Sequence, residues 1–261
     1  MIFAESTAAA ARPQNNLLRA LRPVDYALIA SALEAADYPA RHLLYNPGDH
    51  VGTVYFPCGP SLVSYVVASE DGREVETMLV GREGAVGGVV SRGNLPAFTR
   101  MVVQFAGPFM HLRLDVLEAA KERSTTLSGM FARYADCMLA QMMQAAACNA
   151  THSIEQRTAK WIVSALERTG DTAVPLTQEQ LAAMLGVGRS YASRVIQSLR
   201  REGLLQTRRG ALLVTNRSAL EAKSCLCNEQ VKGHFEAVLS GVYPTESEGN
   251  GAAAAGSVTA R

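Results

Sequence analysis

No run of about 18 apolar residues occurs in the sequence, so no stretch of it is built to cross a membrane as a helix. Charged residues make up only 19% and aromatics 6% of its 261 positions, against 48% hydrophobic, a balance too apolar for a disordered chain. Paired cysteines at a metal-ligand spacing are missing as well: Cys58, Cys137, Cys148, Cys225 and Cys227 are odd in number and scattered. The opening MIFAESTAAAAR has no cationic stretch ahead of an apolar one, as a secretory leader has, and the expectation is a protein of the reducing cytoplasm. Catalytic signatures are also lacking. His42, His50, His111, His152 and His234 sit in no nucleophile–base or metal-ligand motif, and there is no phosphate-cradling loop of the P-loop type, so neither enzymatic activity nor a bound metal is expected.

What is present fits two domains at about 150 residues each. Residues 1–15 are rich in alanine and 244–261 in small polar residues; neither end can bury enough apolar surface to offset its ordering, and both are expected to be mobile. From Asn16 to Ala36 the apolar spacing reads as short helical pieces broken at Pro23. Strand signals follow over His42–Tyr45, Val51–Phe56, Leu62–Ala68, Glu74–Val80 and Met101–Phe105, separated by Gly, Pro and Asp turns at nearly even intervals, as in an antiparallel roll or sandwich. From Leu114 the period turns helical. Leu127, Met130, Phe131, Tyr134, Met138, Met142 and Ala145 then form one apolar stripe on a long helix over 124–150. Such a helix after a small roll has little of its own domain to cover it, so self-pairing into a homodimer is expected. Cys137 and Cys148 on it read as small buried hydrophobes, and Cys225-Leu226-Cys227 with His234 as too sparse for a closed four-ligand zinc site, hence as packing under the last helix.

The charge is unevenly spread. Between Gly188 and Arg217 there are seven arginines and a single acid, Glu202, a cluster that suits a polyanion unless it is merely a solvated face. Its setting decides. Ser153 with Gln156, and Thr177 with Gln180, have the spacing of capping boxes that start helices, and Gly186 can take the left-handed conformation of a sharp turn. The next helix places Ala192, Val195, Ile196 and Leu199 on one side and Arg189, Ser190, Ser193, Arg194, Gln197 and Arg201 on the other. Two helices about a glycine turn, the second basic on its free face, form a helix-turn-helix whose second helix enters the major groove. Two short strands about Arg208-Arg209-Gly210 add a wing that sets both arginines against a phosphate backbone. Arg189 and Arg194 are the expected readers of base edges, since an arginine fork matches guanine, while Ser190, Tyr191 and Ser193 add base or phosphate contacts.

This order of β-roll, long helix and winged helix-turn-helix resembles the Crp/Fnr family of bacterial transcription regulators over about residues 16–240. The most specific segments are Leu176-Thr177-Gln178-Glu179-Gln180-Leu181-Ala182 and Leu185-Gly186-Val187-Gly188-Arg189-Ser190 with Arg194, which look like that family's DNA-reading unit and add Thr177, Gln178 and Gly188 to the expected DNA contacts. Tyr45-Asn46-Pro47-Gly48-Asp49 and Val80-Gly81-Arg82-Glu83-Gly84-Ala85-Val86-Gly87 look like its cyclic-nucleotide-binding-like roll. The resemblance implies an α+β fold with the roll over 16–123, a dimerisation helix over 124–150 and the DNA-binding domain over 151–243. It also implies a homodimer on a palindromic operator in double-stranded DNA, with RNA polymerase as a further partner. The ligand pocket departs from the family. In nucleotide-binding members a glutamate holds the ribose and an arginine pairs the cyclic phosphate; here those places fall on Gly88 and Phe98, with only Thr99 keeping a hydroxyl. The degenerate pocket then comprises Gly81, Arg82, Gly87, Gly88, Phe98, Thr99 and Arg100, where Arg82 or Arg100 are the remaining cations for cAMP or another small effector. An anion without a guanidinium partner loses the bonds that offset its desolvation, so the roll is expected not to take cAMP. No cysteine precedes Cys58, which excludes the family's iron–sulfur branch. The competing reading is a ligand-binding or protein-interaction module, a cyclic-nucleotide sensor among them, with a vestigial winged helix.

Overall fold

The computed structural model describes residues 12–70, 72, 74–89, 95–170, 172–208 and 210–244. Helix α1 (Asn16–Arg19) is capped by Asn15, whose side chain accepts from the Leu18 N–H, and α2 (Pro23–Ala27) starts on a proline whose missing N–H is not needed there. Seven strands follow: β1 (Glu34–Tyr38), β2 (Leu43–Tyr45), β3 (Thr53–Pro57), β4 (Leu62–Ala68), β5 (Glu74–Val80), β6 (Arg100–Phe105) and β7 (Gly107–Arg113). They form two antiparallel sheets, β1-β7-β3 and β2-β6-β4-β5, facing each other as a roll. Strand alternation sorts the side chains: Val63, Tyr65, Met78, Val80, Val103 and Phe109 fill the space between the sheets, while Val54, Phe56 and Leu112 point out of the three-stranded sheet onto helices.

Two strands differ from the sequence expectation. The helical reading to Ala36 stops short, because Glu34–Tyr38 pairs along its whole length with β7, from Glu34 opposite His111 to Tyr38 opposite Gly107. Strand β7 itself begins at Gly107-Pro108, residues that read as a terminator, yet it is the middle strand of its sheet.

Helices α3 (Leu114–Arg123) and α4 (Thr125–Thr151) close the roll, α4 capped by Ser124. The expectation that α4 lacks cover is corrected over its first half. Leu127, Phe131, Tyr134 and Cys137 are buried in a core shared with α1, the three-stranded sheet and the last helix, α9 (Cys227–Val238), which supplies Val231 and Phe235, followed by Leu239, Val242 and Tyr243. The Tyr134 hydroxyl accepts from the Ala85 N–H (3.0 Å) and donates to the Ala85 carbonyl (3.1 Å). Val231, Phe235, Leu239, Val242 and Tyr243, which lie in the segment expected from sequence to belong to the DNA-binding domain, pack in the N-terminal core. Asn15, expected from sequence to belong to a mobile start, is buried and donates to the carbonyls of Pro57 (2.9 Å) and Gly84 (2.8 Å). Residues 1–11 and 245–261 lie outside the described residues.

Between α4 and α9 comes the winged helix: α5 (Ile154–Thr169), β8 (Ala173–Val174), α6 (Gln178–Leu185), α7 (Arg189–Arg201), β9 (Leu205–Arg208), β10 (Ala211–Val214) and α8 (Arg217–Lys223). It docks on the outer face of the four-stranded sheet. Leu62, Leu79 and Phe105 join Trp161, Ile162 and Leu166 in one core, and the Phe105 and Trp161 rings meet edge-on at 6.3 Å. Two polar links cross the same seam. Arg168 Nε lies 2.8 Å from Glu83 Oε1, both side chains fully enclosed, and the Trp161 indole N–H donates to Glu76 Oε1 at 2.6 Å while Ser64 Oγ lies 2.6 Å from Glu76 Oε2.

Burial raises the Glu76 carboxyl to about 7; hydrogen bonds from Ser64 and Trp161 and the charges of Lys160 and Arg168 oppose this without cancelling it. A carboxyl raised in the folded state binds more protons folded than unfolded between its ordinary 4.5 and about 7. Its contribution to stability is complete below that window and is lost as pH rises through it, by up to about 3 kcal/mol, and less where solvent reaches the adjoining cavity. Urea midpoints of the native chain are expected to fall between pH 4.5 and 7 relative to Glu76→Gln, which carries no proton to lose. Parallel midpoints for the two chains across that range would remove Glu76 as the source.

Candidate nucleic-acid interface

Helix α6 begins at a complete capping box: the Gln180 N–H donates to Thr177 Oγ1 and the Thr177 N–H donates back to Gln180 Oε1 at 2.9 Å. It ends at Gly186, whose φ of +67° supplies the left-handed turn. That turn sits against Val75 of β5, whose methyl would lie 3.2 Å from a Cβ at position 186. Helix α7 then buries Ala192, Val195, Ile196 and Leu199 and leaves Arg189, Ser190, Tyr191, Arg194, Gln197, Arg200 and Arg201 exposed. The spacing of i, i+3, i+4 and i+7 makes this division unavoidable once the apolar side packs.

The exposed residues are not equivalent. Arg194 holds its guanidinium over the Tyr191 ring, 5.2 Å from the centroid, which restricts the long side chain while leaving its N–H edge for a partner. Ser193 is only partly exposed and donates to Gln178 Oε1 at 2.6 Å, so these two tie the start of α6 to α7. Thr177 is engaged in its cap, and Gly188 supplies the extended residue before α7. Strands β9 and β10 pair antiparallel from Leu205 opposite Val214 to Arg208 opposite Ala211, with β8 added on the far side of β10. Arg208 is exposed at the end of this ribbon; Arg209 lies outside the described residues. An open concavity between α7 and the ribbon is lined by Arg194, Gln197, Arg200, Arg201, Leu205 and Gln206. Arg200 was counted from sequence in the basic cluster but given no contact, and Gln206 was read only as part of a wing strand, because only the folded ribbon brings β9 beside α7. Several guanidinium groups on one concave face, with no carboxylate among its lining residues, give a local positive potential suited to a phosphate backbone.

The residues expected to form a ligand pocket in the roll divide into two groups. Gly87, Gly88 and Phe98 line a cavity of about 240 Å³ with Val51, Leu114 and Met138. No charged side chain among the described residues lines it. A Cβ at Gly88, where φ is +36°, would strike both Leu114 methyl groups, and one at Gly87 would strike the Thr53 carbonyl, so neither position has room for a side chain. The two candidate cations are not among its lining residues. Arg100 pairs with Glu74 and lines a different cavity, of about 440 Å³, facing α6 beside Glu76 and Gln180. Arg82 lies at the α1 contact, where its carbonyl accepts from the Asn16 N–H at 2.7 Å; Gly81 donates its N–H to Glu83 Oε1, and the buried Thr99 hydroxyl has no hydrogen-bond partner.

Among the described residues no helix is long and apolar enough to cross a membrane. Residues 156–223 match the sequence profile of the Crp-like helix-turn-helix domain. No curated protein sequence matches the chain. Among solved structures it is similar to a putative Crp/Fnr transcriptional regulator from Eubacterium rectale, with 16% identity and a TM-score of 0.61 over 79% of this chain and 96% of that one. The c-di-GMP responsive global regulator CLP of Xanthomonas campestris is 19% identical, with a TM-score of 0.59 over 75% and 100% of the two chains. FixK2 from Bradyrhizobium japonicum is 14% identical, with a TM-score of 0.62 over 74% and 98%. The roll, the long helix and the docked winged helix thus give this chain the Crp/Fnr regulator fold, with a Crp-like helix-turn-helix domain at residues 156–223.

Proposed function

We propose that the protein is a sequence-specific DNA-binding transcription regulator that acts as a homodimer on a palindromic operator. The observation that carries this reading is the exposed face of α7, where Arg189, Arg194, Arg200 and Arg201 stand clear of the packed side, with Arg208 also exposed on the wing. Arg189 and Arg194 read base edges from the N-terminal part of α7; Arg200, Arg201 and Arg208 hold phosphates. Ser190 and Tyr191 add contacts beside them.

Dimerisation uses the side of α4 that α9 and the roll leave open. Leu139, Met142 and Met143 are 46%, 42% and 62% exposed, large apolar side chains at i, i+3 and i+4 on one helix face. Ala132 and Ala146, seven residues before and after Leu139, extend the face with small side chains that let a second helix approach. The roll does not bind cAMP: its cavity offers the anion no cation from the described residues, and Gly88 excludes a glutamate for the ribose. Contact with RNA polymerase follows from the family resemblance.

Selection of bound duplexes from a random library by the purified protein, with and without cAMP, tests this reading. The expected result is one palindrome with half-sites about one helical turn apart, equally enriched in both arms. Failure to enrich any sequence would overturn DNA reading in favour of another partner for the winged helix. Enrichment only with cAMP would overturn the account of the roll.

A further inference from the structure

Cys148 lies in the last turn of α4 and His152 caps that helix, four residues on, so both face the same way. Cys225 stands in the turn between α8 and α9 and Cys227 opens α9, while the intervening Leu226 points out to solvent, 73% exposed, and both thiols are buried. The fold brings these four together: every pair of ligand atoms lies within 4.8 Å. Cys148 Sγ is 3.6 Å from Cys225 Sγ, and Cys227 Sγ is 3.5 Å from His152 Nδ1. His234, the neighbour expected from sequence, is exposed on α9 and takes no part.

We propose that Cys148, His152, Cys225 and Cys227 bind a single zinc ion. A tetrahedron with Zn–S arms of about 2.3 Å and a Zn–N arm of about 2.05 Å has S–S edges of about 3.8 Å and S–N edges of about 3.5 Å. The Cys148–Cys225 and Cys227–His152 pairs already stand near those separations. The donor set selects the ion: three thiolates and an imidazole, with no carboxylate, are soft ligands that suit zinc and reject magnesium or calcium. An iron–sulfur cluster needs its ligands spread around more than one metal, wider than this enclosure. The three thiols also form a small buried cluster of their own, apart from the aliphatic cores where structural cysteines such as Cys137 pack.

The surroundings supply the outer partners that such sites use. Gln144 donates from Nε2 to Cys227 Sγ at 3.2 Å, and Lys160 places its ammonium 3.5 Å from Cys148 Sγ. Binding releases three thiol protons, and the resulting site of one divalent ion and three thiolates carries one negative charge, which Lys160 balances. Four protein ligands leave no open position, so the site is structural. It joins the two places where the chain passes between the N-terminal core and the winged helix, the end of α4 and the turn before α9. Neither the DNA-reading proposal nor the pocket in the roll bears on it.

The test is metal content and cobalt spectroscopy of the full chain purified under reducing conditions. One zinc per chain is expected, and replacement by cobalt(II) should give the intense visible bands and sulfur-to-metal charge transfer of a tetrahedral thiolate site. His152→Ala and Cys227→Ser should each lose that spectrum, whereas Cys58→Ser and Cys137→Ser should keep it. Gln144→Ala, which removes only an outer partner, should weaken zinc binding by about tenfold or more. Should a ligand variant fail to fold, zinc titration of the chelator-stripped native chain decides alone. A chain that takes up no zinc, a weak octahedral cobalt spectrum, or binding that survives both ligand variants would each overturn the proposal.

Discussion

Changing Glu83 to glutamine is expected to lower folding stability by about 3–5 kcal/mol, the cost of leaving a buried cation without its partner. Glu83 and Arg168 keep only 2% and 1% of their side-chain surface, so water cannot replace the lost carboxylate. Arg168 has other neighbours: it donates to Ser164, and its guanidinium lies 5.0 Å from the centroid of the Tyr243 ring. None of these carries a full negative charge. Glu167, another acid whose charge acts on Arg168, is already held by Asn228 and Lys232, each at 2.6 Å. The measurement is urea unfolding of the purified variant. Pairing Glu83→Gln with Arg168→Met should recover most of the loss, because a methionine fills the space without a charge to compensate. A single-variant loss below about 1 kcal/mol would show that this pair does not hold the winged helix against the roll.

The second large effect concerns DNA. Arg189→Ala and Arg194→Ala should each reduce affinity for the selected operator by about tenfold to a hundredfold, and each should relax the preference at the base pair it reads. Arg208→Ala should behave differently. A phosphate contact carries no sequence information, so its loss should weaken binding to all duplexes alike and reduce the salt slope by about one. Titrations over a series of salt concentrations, on the operator and on scrambled duplexes, separate the two behaviours. Unchanged sequence preference in the Arg189 and Arg194 variants would remove them as base readers. Tyr191→Ala is informative beside them, since the ring under Arg194 restrains that side chain without needing to touch a base.

The winged helix was the most legible part of the sequence because its signals are local. The capping boxes of Ser153 with Gln156 and Thr177 with Gln180 are both formed, and Gly186 takes the left-handed turn its position suggested. The apolar side of α7 is buried as its spacing required. What escaped depends on partners distant in sequence. Glu34-Ala35-Ala36-Asp37-Tyr38 has little intrinsic strand character and is a strand because β7 offers it a ladder. The stripe on α4 was correctly periodic, but periodicity does not say what covers a face, and α9 begins 76 positions after α4 ends. The cysteines show the same limit: 77 residues separate Cys148 from Cys225, so local spacing set Cys225 and Cys227 beside His234 and missed His152. In the roll, Gly88 and Phe98 were read from alignment of a motif, whereas the diversion of Arg100 to Glu74 follows from β5 and β6 flanking β4.

The return of α9 to the N-terminal core has a consequence for synthesis on the ribosome. Phe131 and Tyr134 are made early, but Phe235 and Tyr243, which cover them, follow about a hundred residues later in the chain. The winged helix ends at Lys223 and has all its own strands and helices by then. It can therefore fold before α9 has been made, whereas the roll must wait with an open apolar surface until α9 and the residues after it have emerged. A nascent chain stalled before α9 would carry a finished DNA-reading module on an unfinished core, the state in which chaperone binding and aggregation compete most strongly.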